Sequence, residues 1–512
     1  MLGIILMAGL AGMGAGNGKA MIPNSCNMSA QAPLETGMHA LHNFEYEEAE
    51  QAFETAQKAD PGCAMAWWGA AMTQWHELWD PSDEGELAAG WKDVEEAQSR
   101  AGKATPEERA YIDAVAAYFE PGPGGKAGKE KRTADGRAQA YREKMRELHK
   151  AYPGDTQGTL FFALAILAAN DQGTRAEEIA QAKEAGALIE TVFQAEPENP
   201  GAAHYLIHAY DRPELAEGAL AAARAYAKIA PNAPHALHMP SHIFERLGLW
   251  QEDVASNEAS IAAAKAAVPQ THEKIHEQLH ALDFLQYGQT QLGDFPAAEQ
   301  TTETAVALAI AHEDRFSAYI RYTLPVRMVV EENKWADWKK LPLPAGKDDG
   351  YWKALYLWLE VMAEARGCTD GTRMASGGHA AECTEKQAKA GTKATTAALK
   401  KLKAQAADAK KGDATDAYGD VGALETLVTE AEGWEAFARR DKAAAIEKLK
   451  AAVEDEAKPG SYGGFRKPAS EMLGDLYLLL GEKSEAAAAY EQSLKEHPGR
   501  RLSEMGLRDA SS

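Results

Sequence analysis

Positive charge is what this sequence is short of. Its 512 residues hold 54 lysines and arginines against 77 aspartates and glutamates, a formal charge of −23. No basic stripe offsets phosphate repulsion, so a nucleic-acid partner is disfavoured. An acidic surface favours solubility and attracts cations instead. Cysteine is scarce too: Cys26, Cys63, Cys368 and Cys383 are the full set. None sits in a Cys-x-x-Cys pair, which argues against a thiolate zinc site. Signatures of other chemistries are missing. There is no GxxxxGK[ST] phosphate loop, no GxSxG elbow and no strand–helix alternation of a dinucleotide fold. The apolar run at 2–15 is too short for a membrane span, and no integral span is expected in the mature chain.

That run, LGIILMAGLAGMGA followed by GNGKA, has the apolar core and small-residue end of a secretion signal, without the basic flank. Residues 1–20 are read as signal-like, and a periplasmic or secreted location is expected. An even cysteine count suits export and suggests two disulfides. Cys368 and Cys383 bracket a Gly/Ser/Thr-rich stretch that a bond would staple; Cys26 would then tie the N-terminal arm to Cys63. Four buried thiols are the plain alternative, and three pairings stay open.

What is abundant is helix. Alanine is frequent, apolar residues recur at three and four, and β-branched alternation is absent. Thr105-Pro106-Glu107-Glu108 reads as a cap, a first-turn proline and acids at the positive end of the helix dipole. A phrase recurs: a helix, a short Gly-containing turn, an aromatic or charged residue, then an Ala-rich helix closing near a proline. It appears as LHNFEYEEAEQAFETAQKADP (41–61), RLGLWQEDVASNEASIAAA (246–264), QLGDFPAAEQTTETAVALA (291–309) and LLGEKSEAAAAYEQSLKEHP (480–498). These phrases resemble the tetratricopeptide repeat in a degenerate form. The resemblance implies an all-α, tetratricopeptide-repeat-like α-solenoid, a superhelix of helical hairpins whose first helices line a concave groove. We divide it into a His-rich part, 21–345, and C-terminal repeats, 346–512. The latter hold the Cys-bracketed loop and a Lys/Ala-rich insertion read as one exposed helix. PGPGGKAGKEKR (121–132) reads as a solvent-exposed loop.

Histidine spacing carries the functional signal. His39/His42, His204/His208 and His238/His242 lie three or four residues apart, and HEKIHEQLH places His272, His276 and His280 at four-residue steps. Imidazoles so spaced leave one side of a helix, and each pair supplies two ligands for a transition metal. In PHALHMPSHIF, Pro240 either kinks the helix or starts it; both geometries keep His238 near His242. The plain alternative is a hydrogen-bonded structural cluster, because buried imidazoles need partners. HEKIH and HEQLH match the zinc-peptidase string, but the third metal ligand and Met-turn pattern is missing, so a peptidase is the weakest reading. Met38 and Met239 adjoin histidines; they hint at copper, or simply fill core. Trp67, Trp68, Trp75 and Trp79 read as a packing stripe beside His76. Arg315, Arg321 and Arg327 read as a salt-bridged face.

The segments GMHALHNFEYEEAEQAF, PGAAHYLIHAYD, PHALHMPSHIFERLG and LHALDFLQYGQTQLGD resemble a group of exported bacterial tetratricopeptide-repeat proteins with a His-rich HMPSHIF-type motif. That resemblance implies groove histidines at His39, His42, His204, His208, His238, His242 and His280. The expected cofactor is a transition metal, copper or zinc first and iron third. His76, His235, Tyr205, Asp283, Glu77 and Asp211 are candidate supporting groups behind the ligands. An open coordination position would suit a metal-dependent oxidoreductase or hydrolase. The competing expectation is a scaffold without metal, taking a peptide, or a small molecule, in its groove.

Overall fold

The computed structural model describes residues 21–78, 81–120, 132–169, 173–312, 314–344, 350–367, 372–374, 380–382, 385–410, 421–456, 458 and 467–512. The signal-like segment 1–20, the loop at 121–131, Trp79, Cys368 and Cys383 fall outside them. The described chain is helical from Met28–His42 to Arg501–Ser511. Its β structure is one short antiparallel ladder, Thr372–Met374 with Ala380–Glu382, in the Cys-bracketed stretch. No helix among the described residues is long and apolar enough to cross a membrane.

Helix starts follow local chemistry. Thr105 and Glu108 form the expected capping box with Pro106 in the first turn, and Asp83 and Glu86 form a second. Hairpin turns share one geometry. Gly248, Gly293 and Gly481 sit at φ +68°, +76° and +75°, where a side chain is disfavoured. In each, that glycine's amide bonds a carbonyl three residues back, and the next amide reaches five back. Phe44, Asn333 and Arg440 occupy the same position with the same two bonds, at φ 56°, 57° and 65°.

The chain divides into two compact units. The first comprises 1–171, 178–243 and 258–277; the second comprises 172–177, 244–257 and 278–512. The soft boundary expected near 345 lies at 345–349, outside the described residues. In the first unit the helix Met28–His42 packs on Tyr46–Ala59 and on Pro200–Tyr210. Phe53 fills the space left by Gly37 and Gly69, where an added Cβ would lie 2.8 and 2.3 Å from its ring. Trp68 and Trp75 pack edge-on against Tyr111, Phe161 and Tyr141, as a packing stripe should. A disulfide joins Cys26 to Cys63, tying the N-terminal arm to the start of the Ala64–Met72 helix. Met38 and Met239 are fully buried.

The second unit is organised around buried ion pairs. Arg500 is wholly enclosed and bonds Glu471 (2.8 Å), Glu331 (2.7 Å) and the Tyr287 hydroxyl (3.0 Å). Arg327 bonds Asp283 at 2.6 Å, while Arg321 lies over the Tyr322 ring at 4.9 Å. The Lys/Ala-rich segment forms the helix Glu385–Ala409, but it is not solvated all round. Ala398, Leu399, Leu402 and Ala406 are buried as it packs on Gly350–Ala365 and Val421–Ala438. Its apolar residues recur at three and four, enough to bury a stripe despite the lysines.

Candidate metal centre

Two sequence breaks position the histidines. Asn199 caps the helix Pro200–Tyr210, accepting from the Ala202 amide at 3.3 Å, and Pro200 occupies the first turn. His204 and His208 follow one turn apart. Downstream, Pro234 opens the short helix Pro234–His238, which presents His235 and His238. Pro240 then starts a new helix, Pro240–Leu247, with His242 in its first turn. Met239 alone separates the two helices and keeps helical backbone angles (φ −50°, ψ −35°), so Pro240 both opens the second helix and breaks a nearly continuous one.

Three imidazoles meet. Nε2 of His204 lies 2.9 Å from Nε2 of His208 and 3.0 Å from Nε2 of His235. The other ring nitrogen of His204 donates to the backbone carbonyl of His42 at 2.6 Å. That bond fixes the tautomer, leaving one lone pair on Nε2 facing two other nitrogens. A neutral imidazole nitrogen accepts one hydrogen bond, so hydrogen bonding alone serves this arrangement poorly. Tetrahedral ligation with bonds of ~2.0–2.1 Å places ligand nitrogens roughly 3.3 Å apart, a few tenths of an ångström wider than the two separations from His204; all three ligand atoms lie within 4.8 Å of one another.

His238 and His242 form a neighbouring pair, Nε2 to Nε2 3.1 Å. His242 donates through Nδ1 to Asp211 at 2.9 Å, and Ser241 lies 3.4 Å from Nδ1 of His238. A carboxylate behind an imidazole orients it and raises its basicity as a ligand. The pair adjoins the triad: the His235 and His238 ring centres are 6.5 Å apart.

The walls keep His204 and His208 neutral. Burial drives the His204 pKa well below its ordinary value, with His208 adding to the effect. Burial and the nearby His242 bring His208 to about 3. Neutral imidazole is the ligating form. Tyr226 stacks on His204 at 5.2 Å, its hydroxyl donating to Asn43 at 2.7 Å.

His39, His42 and His76 lie outside these groups. His42 is buried and engages both ring nitrogens, with Tyr205 at 3.0 Å and Gln157 at 2.6 Å. Burial lowers its pKa to about 4, against the Gln157 bond. It supports the triad through its carbonyl rather than its ring. His39 is half-buried and lines a cavity of about 520 Å³ with Glu35, Asn43, Glu45 and Pro234. His76 packs on Tyr46 at 4.4 Å, whose hydroxyl donates to the buried Glu77 at 3.1 Å. His280 belongs to the second unit, edge-on to Phe284 and Phe316. Asp283, read as a supporting group, is bound to Arg327 in that unit. His235 was read as a supporting residue, yet its Nε2 stands in the triad. Its place one residue inside a proline-started helix was the available signal.

The peptidase strings form a different structure. Lys274 is buried among carboxylates, paired with Glu45 and lying 3.1 Å from Glu48, 3.2 Å from Glu273 and 3.3 Å from Glu277. Glu273 and Glu277 are the glutamates of the two strings. An ammonium holds both, and His272 is exposed. Burial raises Glu273 to about 8, despite Lys274.

Residues 468–498 match the tetratricopeptide repeat model; they form the helices Ala469–Leu479 and Lys483–Glu496 around the Gly481 turn. The chain carries a tetratricopeptide repeat, and its described residues form helix after helix. No curated protein matches it in sequence. Among solved structures, the human IFIT1 dimer with m7Gppp-AAAA is similar at 11% identity and TM-score 0.38, over 93% of this chain and 95% of that one. Yeast Tom70 is similar at 10% identity and TM-score 0.32, over 94% and 88%.

Proposed function

We propose that the first unit binds a transition metal through Nε2 of His204, His208 and His235, with His238 and His242 as a second pair of donors alongside. The observation that carries this reading is the convergence of three Nε2 atoms while Nδ1 of His204 is engaged by a backbone carbonyl. All-imidazole donors suit copper and zinc, with iron third. When bound, such an ion supplies Lewis acidity. The chain's own part is to hold the rings neutral and oriented: His42 through its carbonyl, Asp211 through its carboxylate, Tyr226 by stacking. A coordination position left open to substrate would suit a metal-dependent oxidoreductase or hydrolase. The disulfide at Cys26–Cys63 supports an oxidising, periplasmic or secreted location.

A crystal soaked in zinc or copper tests the centre. An anomalous peak ~2.0–2.1 Å from all three Nε2 atoms is expected; a peak elsewhere, or none at saturating metal, contradicts the reading.

A scaffold role is the second reading. The cavity of about 520 Å³ favours it, because Glu35 and Glu48 line it together with alanines and prolines. That mixture suits a peptide carrying basic and small apolar side chains, or a small amine. The net charge of −23 still disfavours nucleic acid.

A further inference from the structure

Phe44 is out of place twice. It stands at the left-handed position of a helical hairpin turn, at φ 56°. The equivalent position is glycine at 248, 293 and 481, asparagine at 333 and arginine at 440; Phe44 is its one aromatic among the described residues. A bulky side chain there is a conformational outlier. Such strain persists where the surrounding structure over-determines it, and it gathers at functional sites. The turn itself needs no phenylalanine: the amides of Phe44 and Glu45 make the same two bonds found at the glycine turns.

The side chain is also unusually placed. Its ring meets all three imidazoles of the triad. It is edge-on to His204 at 4.4 Å and near-parallel to His208 at 5.6 Å and His235 at 5.8 Å. Those imidazoles come from two separate helices, so one planar surface sets the mutual angle of rings that no shared backbone fixes. The left-handed backbone is what aims it there. From an ordinary φ, the chain leaving the helix Met28–His42 would carry the Cβ in another direction.

We propose that Phe44 is a positioning residue, a strained aromatic clamp that holds His204, His208 and His235 in the ligating arrangement and keeps water from their inner face. The claim rests on the metal reading for its purpose but not for its geometry. Selection for turn stability alone favours glycine here; a planar ring in contact with three ligands gives the phenylalanine a reason.

The test uses the full chain as wild type, Phe44→Leu, Phe44→Tyr and Phe44→Gly. Leucine keeps apolar bulk and the same backbone demand but loses the plane; tyrosine restores the plane. Histidine ring signals are followed by NMR in the metal-free protein, and cobalt(II) is titrated by its visible absorption. In Phe44→Leu and Phe44→Gly, the His204, His208 and His235 signals should lose the ring-current shift and broaden. Cobalt should bind at least ~10-fold more weakly, with a changed band shape, as for other losses around a metal's ligands. Phe44→Tyr should restore both. Unchanged imidazole signals in Phe44→Leu and Phe44→Gly overturn the clamp. If wild type takes up no cobalt, the metal reading fails, and the NMR comparison alone still decides the clamp.

Discussion

Glu77 is enclosed in the first unit, and burial lifts its carboxyl to about 8 against hydrogen bonds from its own backbone and from Tyr46. Between an unfolded value near 4.5 and a folded value near 8, the unfolded chain has released a proton that the folded chain keeps. Stability therefore falls as pH rises across that window. Glu77→Gln, which has no proton to lose, should raise the urea midpoint at pH 8 and leave it nearly unchanged at pH 4. An equal effect at both values would show that Glu77 is not protonated in the fold. Glu471 in the second unit runs the other way. Burial alone would raise it, but Arg500 and Lys467 bring it to about 2. Its contribution is present above the ordinary carboxylate range and is lost as pH falls toward 2. Glu471→Gln should cost ~3–5 kcal/mol near neutrality, because Arg500 stays buried with one partner fewer. The penalty should shrink on acidification, measured by urea unfolding at several pH values.

At the scale of the element, the hairpin turn decides how much of the fold can be read in advance. Gly481 has space for a Cβ but a left-handed backbone. Gly481→Ala should therefore cost about 1 kcal/mol by conformation alone, read as a lower thermal midpoint with unchanged helicity. Leu-Gly turns at 248, 293 and 481 were legible because glycine advertises that backbone. Asn333 and Arg440 make the same turn without the advertisement and were not read as repeat turns; the Phe44 turn was legible only from the Ala-rich helix that follows it. The site was legible in a similar, partial way. Helical spacing identified His204/His208 and His238/His242. Spacing within a helix says nothing about which ring faces a partner from another helix. That is why His42, a good candidate by pattern, spends its ring on Tyr205 and Gln157, while His235 joins the triad. Asp283 was similarly opaque, since its ion pair with Arg327 spans 44 residues.

For the whole molecule, most helix contacts are between elements adjacent in the chain, so a link between two of them bears on stability. The Cys26–Cys63 bond closes a loop across a separation of 37 residues. Its reduction should lower stability by roughly 3–4 kcal/mol in a chain-entropy account. Alkylation before and after reduction, read by mass spectrometry, checks that both thiols are protected in the native protein. Metal bound only by the folded chain adds its binding free energy to stability, so chelation should lower the unfolding temperature of the purified protein.

The most direct measurement is elemental analysis of untagged protein, alongside a His204→Ala/His208→Ala double variant of matched helicity. Near-stoichiometric copper, zinc or iron in the wild type, falling below about a tenth in the variant, is the result this account predicts. Metal-free wild type that takes up none at micromolar copper or zinc would contradict it, as would a variant that keeps its metal.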